Sequence, residues 1–154
     1  MTINNPNKII IHHTAISGPG DQVWKVENYH KSRGWAKSGH GWHIGYHYLI
    51  EKSGKVIYAR HESEEAAHTV GQNKESIGIG LAGNFNFEEP TEAQKLALGS
   101  ILSRLAKTYA LQADRILNHR IFTFTDCPGS RLGRWWGAVV YLNYELSWLK
   151  SLLW

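Results

Sequence analysis

The chain has 154 residues, a net charge of +4 and a single cysteine. This excludes an internal disulfide framework and points to one domain of ordinary size, large enough to bury a core without one. With 42% hydrophobic and 19% charged residues, the chain is globular rather than disordered. Its Lys and Arg never run four in a row, so no nucleic-acid partner is expected, and the modest positive charge leans only toward acidic polymers or ordinary solubility.

Met1 to Lys8 lack the basic start and apolar stretch of a signal peptide. No window reaches the roughly 18 apolar residues of a membrane span. The expectation is synthesis in a reducing cytoplasm, where a lone thiol serves as a free core residue or a metal ligand.

The β-branched run Lys8-Ile9-Ile10-Ile11-His12-His13 predicts a buried strand ending on histidine. A helix is expected over residues 21–33, with Asp21 as N-cap and Gly34 just past its end. A loop follows from Trp35 to Gly41. Gly45 to Ile50 and Val56 to Arg60 read as the two strands of a hairpin around Lys52-Ser53-Gly54-Lys55. Ser76 to Gly83 alternates large and small residues, as a central strand does when something approaches it closely. Thr91 and Gln94 form a capping box that opens a helix running to about Tyr109. Arg115 to His119 predicts a short strand that again ends on histidine. Pro128-Gly129 breaks the chain before a last helical region. Strands separated by helices in one short chain predict an α/β domain with a central mixed sheet flanked by helices.

In such sheets, sites form beyond the strand ends. Two of the nine histidines, His12 and His119, stand at strand ends, and Cys127 follows eight residues after His119. Two imidazoles and a thiolate with an open fourth position match a catalytic zinc site. On composition alone, a buried free cysteine and satisfied strand-end histidines are the competing reading.

Five segments occur in order: Ile10-Ile11-His12-His13-Thr14-Ala15, Gly45-Tyr46-His47-Tyr48, Ala67-His68-Thr69-Val70-Gly71-Gln72-Asn73, Ser76-Ile77-Gly78-Ile79, and Asn118-His119-Arg120 through Thr125-Asp126-Cys127-Pro128-Gly129. Together they resemble the type 2 N-acetylmuramoyl-L-alanine amidases, which include phage amidase-lysozymes and animal peptidoglycan recognition proteins. The resemblance covers about residues 8–136. It implies Zn²⁺ held by His12, His119 and Cys127, with Tyr46 and Thr125 flanking the attacking water and the substrate carbonyl. The implied reaction is hydrolysis of the amide between N-acetylmuramic acid and L-alanine of the stem peptide in peptidoglycan. The Thr125 position is often Lys in the phage enzymes and Thr in the animal proteins. A Thr supplies no charge, so the general acid stays open. His43 stands where the family usually has Asp.

Strand alternation sets His47 opposite Tyr46 and His13 opposite His12, which assigns His47 and His13 to the fold. His68 is expected on the substrate side. Trp35, Trp42, Asn73 and Asn84 are expected to border a peptidoglycan groove, whereas His30, His40 and His61 read as surface residues. Beyond Arg134-Trp135-Trp136, residues 137–154 add an amphipathic helix with Leu142, Leu146, Leu149 and Leu153 on one face, widened by Tyr141, Tyr144, Trp148 and Trp154. It is expected to pack on the domain. A membrane-surface contact or an oligomer contact are the alternatives, with a monomer favoured. The functional expectation is a zinc amidase of the phage endolysin type, made in the cytoplasm and acting on the cell wall after release. The rival is a peptidoglycan-binding module that recognises without cleaving, whose relatives typically lack the cysteine ligand.

Overall fold

A computed structural model describes residues 3–153, so the Trp154 expectation lies outside the described residues. Five strands form one mixed sheet: β1 (Lys8–His13), β2 (Tyr48–Ile50), β3 (Val56–Tyr58), β4 (Ser76–Leu81) and β5 (Ile116–Asn118), in the order β3-β2-β4-β1-β5. β1 pairs in parallel with β4 and β5, β2 pairs in parallel with β4, and only β3 runs antiparallel, against β2. The helices are α1 (Val23–Ser32), α2 (Glu92–Tyr109) and α3 (Trp136–Leu152). Short 3₁₀ turns at Ala113–Arg115 and His119–Ile121 bracket β5. The expected α/β architecture with a central mixed sheet is the one observed.

Every residue of β1 and β4 is buried, as expected for central parallel strands covered on both faces. Side chains alternate across each strand, and here the alternation separates two environments. Ile9, Ile11, Ile77, Ile79, Leu81, Tyr48, Ile50 and Ile116 face the main core, where Leu98, Leu102 and Leu105 of α2 and Ala138 and Val140 of α3 close over them. The opposite face of the sheet carries His12, Gly78 and Gly80, the last two with the rings of His68 and Tyr46 lying directly over them. A Cβ on Gly78 would sit 2.5 Å from the His68 ring, and one on Gly80 2.6 Å from the Tyr46 ring. The large–small alternation of β4 therefore makes room for two site residues.

Several boundaries differ from the sequence expectation for identifiable reasons. α1 starts at Val23 with Gln22 at its cap, not Asp21. The buried carboxylate of Glu51, at the end of β2, accepts from the free N–H groups of Gln22 (2.8 Å) and Val23 (2.6 Å). A carboxylate at a helix N-terminus serves the orphan donors and the dipole together. The first hairpin strand pairs only over Tyr48–Ile50, its partner ends at Tyr58, and β4 ends at Leu81, before Gly83 at φ +141°. His119 falls just past β5, in the 3₁₀ turn. α2 carries the expected capping box, Thr91 and Gln94 each accepting from the other's backbone N–H at 3.0 Å.

α3 packs on the domain, but not by its leucines. Gly137, Ala138 and Val140 are buried, and Gly99 of α2 lets Tyr144 approach so closely that a Cβ there would lie 2.7 Å from it. Leu142, Leu146, Leu149 and Leu153 face outward. Among the described residues no helix is long and apolar enough to cross a membrane.

Candidate metal centre

β1 brings His12 to the site end of the sheet, β5 and its following turn bring His119, and the loop beyond brings Cys127. One ligand atom from each lies within 4.8 Å of the others, the only such group found among the described residues. The His12 and His119 rings are 4.5 Å apart, and His12 Nδ1 lies 3.6 Å from Cys127 Sγ. His12 is buried, while His119 and Cys127 are partly open. The Cys127 loop is braced from within. Arg120 N–H donates to Cys127 O at 3.0 Å, the Arg120 guanidinium donates to Gly129 O and Leu132 O, and Cys127 N–H donates to Thr125 Oγ1 at 3.2 Å.

The electrostatics suit a soft cation. Burial lowers the pKa of His12 well below the ordinary imidazole value, reinforced by His68 and His119, and burial lowers His119 as well. Both rings are thus neutral and available as ligands. Burial pushes the Cys127 thiol up to about 12, against the opposing pull of the His13 backbone N–H and Arg120. Without a cation, the thiol keeps its proton at neutral pH. A bound divalent ion favours the thiolate and offsets that cost. The donor set therefore fits Zn²⁺, with His12, His119 and Cys127 as its protein ligands.

Around this cluster the other expected residues take distinct places. The Tyr46 ring packs over Gly80, 5.2 Å from the His12 ring, with its hydroxyl 3.5 Å from His13 O. Burial, then the neighbouring Cys127, raises its pKa, so it stays a phenol and a donor. His68 is buried behind His12. Its Nδ1 is 2.9 Å from His12 Nε2 and 3.0 Å from Thr69 Oγ1, and its Nε2 is 3.3 Å from Ser76 Oγ, which donates to Gln72 O at 2.7 Å. With His12 Nδ1 turned toward Cys127, this network assigns the proton of His12 to Nε2 and that of His68 to Nε2. His68 thus orients a ligand as well as bordering the cleft.

Two recesses lie nearby, one reaching the cluster through His119 and the other bordered by Tyr46. One, about 440 Å³, is lined by Trp35, Ala67, His68, Thr69, Asn73 and His119 among others. The other, about 350 Å³, is lined by Thr14, Ile16, Val26, Tyr29, His30 and Tyr46. Trp35 and Asn73 thus stand where a groove was expected, although Asn73 Oδ1 is occupied by the N–H groups of His68 and Thr69, both at 2.9 Å. Trp42 instead packs into the smaller apolar cluster with Val23 and Ile44, its ring 5.2 Å from that of Trp24. Asn84 turns into its own loop, its Oδ1 accepting from Asn86 N–H at 3.2 Å.

His30, read from sequence as a surface residue, is buried. Its ring lies 4.1 Å from that of Trp35 and 5.5 Å from that of Tyr46, and its Nδ1 accepts from Gly45 N–H at 3.1 Å. It therefore seats the segment carrying Tyr46. The signal was present: Val23, Val26, Glu27 and His30 recur at the spacing of one helical face. Glu27, on the same face, holds His43 through both its Nδ1 and its backbone N–H at 2.7 Å. His43 thus joins α1 to the Tyr46 segment and is no ligand. His13 and His47 face the fold as expected. His13 Nδ1 accepts from Phe85 N–H at 3.2 Å, and His47 accepts from Gly78 N–H (3.0 Å) while donating to Glu64 O (3.0 Å). His40 and His61 are exposed, with ring centroids 5.2 Å apart.

A His-His-Cys cluster able to hold a metal ion thus lies at one end of the mixed sheet, with a phenol beside it. The chain belongs to the N-acetylmuramoyl-L-alanine amidase family Amidase_2, whose sequence profile matches residues 3–130. It is 34% identical over 131 residues to peptidoglycan-recognition protein SC2 of Drosophila melanogaster, spanning 80% of this chain and 68% of that protein. It is 29% identical over 136 residues to the endolysin of Klebsiella phage KP32, spanning 84% and 85%. Among solved structures, N-acetylmuramoyl-L-alanine amidase LysC from Clostridium intestinale URNW superposes with a TM-score of 0.71 at 33% identity, covering 84% of this chain and 82% of that one.

Proposed function

We propose that the chain is a zinc-dependent N-acetylmuramoyl-L-alanine amidase of the phage endolysin type, which acts on the cell wall after release. In this reading, residues 1–154 form a single catalytic domain with 137–154 as an added helix. The observation that carries the proposal is the convergence of His12, His119 and Cys127 within 4.8 Å, beside a recess that His119 helps to line and a Tyr46 that burial keeps as a phenol. Family membership and the amidase and endolysin relatives support the choice of substrate.

Zn²⁺ bound by the three ligands supplies a Lewis acid for carbonyl polarisation and water activation. The protein groups do the rest. Tyr46 donates its O–H to the oxygen of the scissile carbonyl, where negative charge develops as water adds. His68 and Thr69 hold the His12 ring in the orientation that turns Nδ1 to the centre. Thr125 Oγ1 accepts from Cys127 N–H and sets the loop; with no charge of its own, it guides the water rather than driving proton transfer. Trp35 and the wall at Ala67 and Asn73 give the stem peptide an apolar and amide-bearing surface. Addition of water and cleavage of the C–N bond yield the lactyl carboxylate and the free α-amino group of L-alanine.

The test is digestion of purified peptidoglycan with and without a chelator. Soluble stem peptides with an L-alanine amino terminus, lost on metal removal and regained on adding Zn²⁺, are expected. New reducing sugar ends would overturn the amidase reading, and tight binding without any product would favour a recognition module.

A further inference from the structure

α3 lies beyond residues 3–130, the part matched by the family, and its outward face is patterned. Trp135, Val139, Leu142, Leu146, Leu149 and Leu153 recur at intervals of four, three, four, three and four, the a/d seam of a heptad repeat. In the structure all six are between 46% and 79% exposed. The side that packs on the domain, Gly137, Val140, Tyr141 and Tyr144, lies opposite on the helix, and only Ala138 in its first turn is buried on the flank of the seam. The seam therefore points away from the fold.

The only two charged residues of the helix complete the pattern. With Leu146 at a, Glu145 occupies g and Lys150 the following e. In a parallel two-stranded pair, g of one helix meets the next e of the other, so Glu145 faces Lys150 of the second copy on both sides. An antiparallel pair would set g beside g and e beside e, leaving both charges without opposite partners. Within one chain they stand five residues apart and do not meet. Among the described residues neither is ion-paired; Glu145 Oε1 is turned inward without a partner, so its carboxylate rotates outward to meet Lys150 of the second copy.

We propose that α3 is a self-association surface, on which a second copy of this chain docks through a parallel, two-fold Trp135–Leu153 seam. This revises the expectation of a monomer. The helix is already held by the domain, so pairing does not bear the cost of forming it. The seam extends only about 27 Å at 1.5 Å per residue, which places the interface at the small end of the size range and makes the dimer weak and concentration-dependent. Because each domain sits on the side of its helix opposite the seam, the two domains flank the helix pair. A bilayer is the weaker fit, because surface-lying helices carry Lys and Arg along their polar flanks and this one has Lys150 alone.

Sedimentation velocity of the full chain, from low micromolar to several hundred micromolar, tests the proposal. The mass should double with concentration, and Leu146→Glu should stay monomeric with the circular-dichroism melt and activity of the parent. Glu145→Lys should weaken dimerisation about tenfold, as two attractive pairs become repulsive, and adding Lys150→Glu should restore it. A chain monomeric at every concentration overturns the proposal. So does monomeric protein that floats with phosphatidylglycerol vesicles, which assigns the face to lipid. Failure of the double charge swap to restore pairing overturns the parallel arrangement.

Discussion

The two faces of the same sheet obey different rules. On one, Ile9, Ile11, Ile77 and Ile79 meet α2 and α3 in a largely aliphatic core. On the other, one residue further along the same strands, His12 sits beside two glycines covered by His68 and Tyr46. A period of two divides stability from chemistry within a single strand, so neighbouring positions should differ in whether substitution reaches turnover.

The largest expected contrast is between Ile79 and Gly80. Ile79→Ala opens a cavity in the core and should cost about 2–5 kcal/mol of stability while leaving turnover per folded molecule unchanged. Gly80→Ala drives a methyl into the Tyr46 ring. It should cost about 1–3 kcal/mol through overpacking and lower turnover as well. Chemical denaturation paired with initial rates separates the two, and equal loss of turnover in both would erase the contrast.

Tyr46→Phe comes next, with a loss on the order of 10²–10³ in kcat for one oxyanion donor, little change in KM and an unchanged melt. A variant at parental rate would remove Tyr46 from the mechanism.

The buried histidines behind the site also make stability depend on pH. Burial lowers the His47 pKa to about 4, so the folded chain refuses a proton that the unfolded chain takes up below about 6.5. Its contribution is complete above pH 6.5 and is lost as pH falls toward 4, by up to about 3 kcal/mol; His30 acts in the same direction. The gap between denaturation midpoints measured at pH 7 and 5.5 should be narrower for His47→Gln than for the parent; an unchanged gap would remove His47 from the pH dependence.

The smallest effect belongs to His68. His68→Ala removes the group orienting His12 and should weaken zinc affinity about 10–100-fold, measured by chelator competition. Unaltered affinity accompanied by weaker peptidoglycan binding would return His68 to a purely substrate-side role.

Much of this was legible in the sequence. The aliphatic run of β1, the large–small alternation of β4 and the Thr91–Gln94 box are local signals with local causes. His12, His119 and Cys127 stood out because two strand ends and one loop carry ligand chemistry in family order. What was missed depends on distant partners. Asp21 was a reasonable cap, but Glu51, 28 residues beyond Val23, takes the role. His30 carries an unremarkable local sequence, and its burial follows from Trp35 and Tyr46 closing over it. The leucines of α3 show an apolar face without saying which face the domain uses. A helix apolar nearly all round has two, and Gly99 with Gly137 decides the choice.

The central claim is that His12, His119 and Cys127 form one zinc centre on which amide cleavage depends. Its most direct test is the metal content of the purified chain and of Cys127→Ser, assayed in parallel for release of L-alanine amino termini from peptidoglycan. The account predicts one zinc per parent chain, and neither zinc nor release for the variant. A Cys127→Ser chain that binds zinc normally and keeps full activity would contradict it.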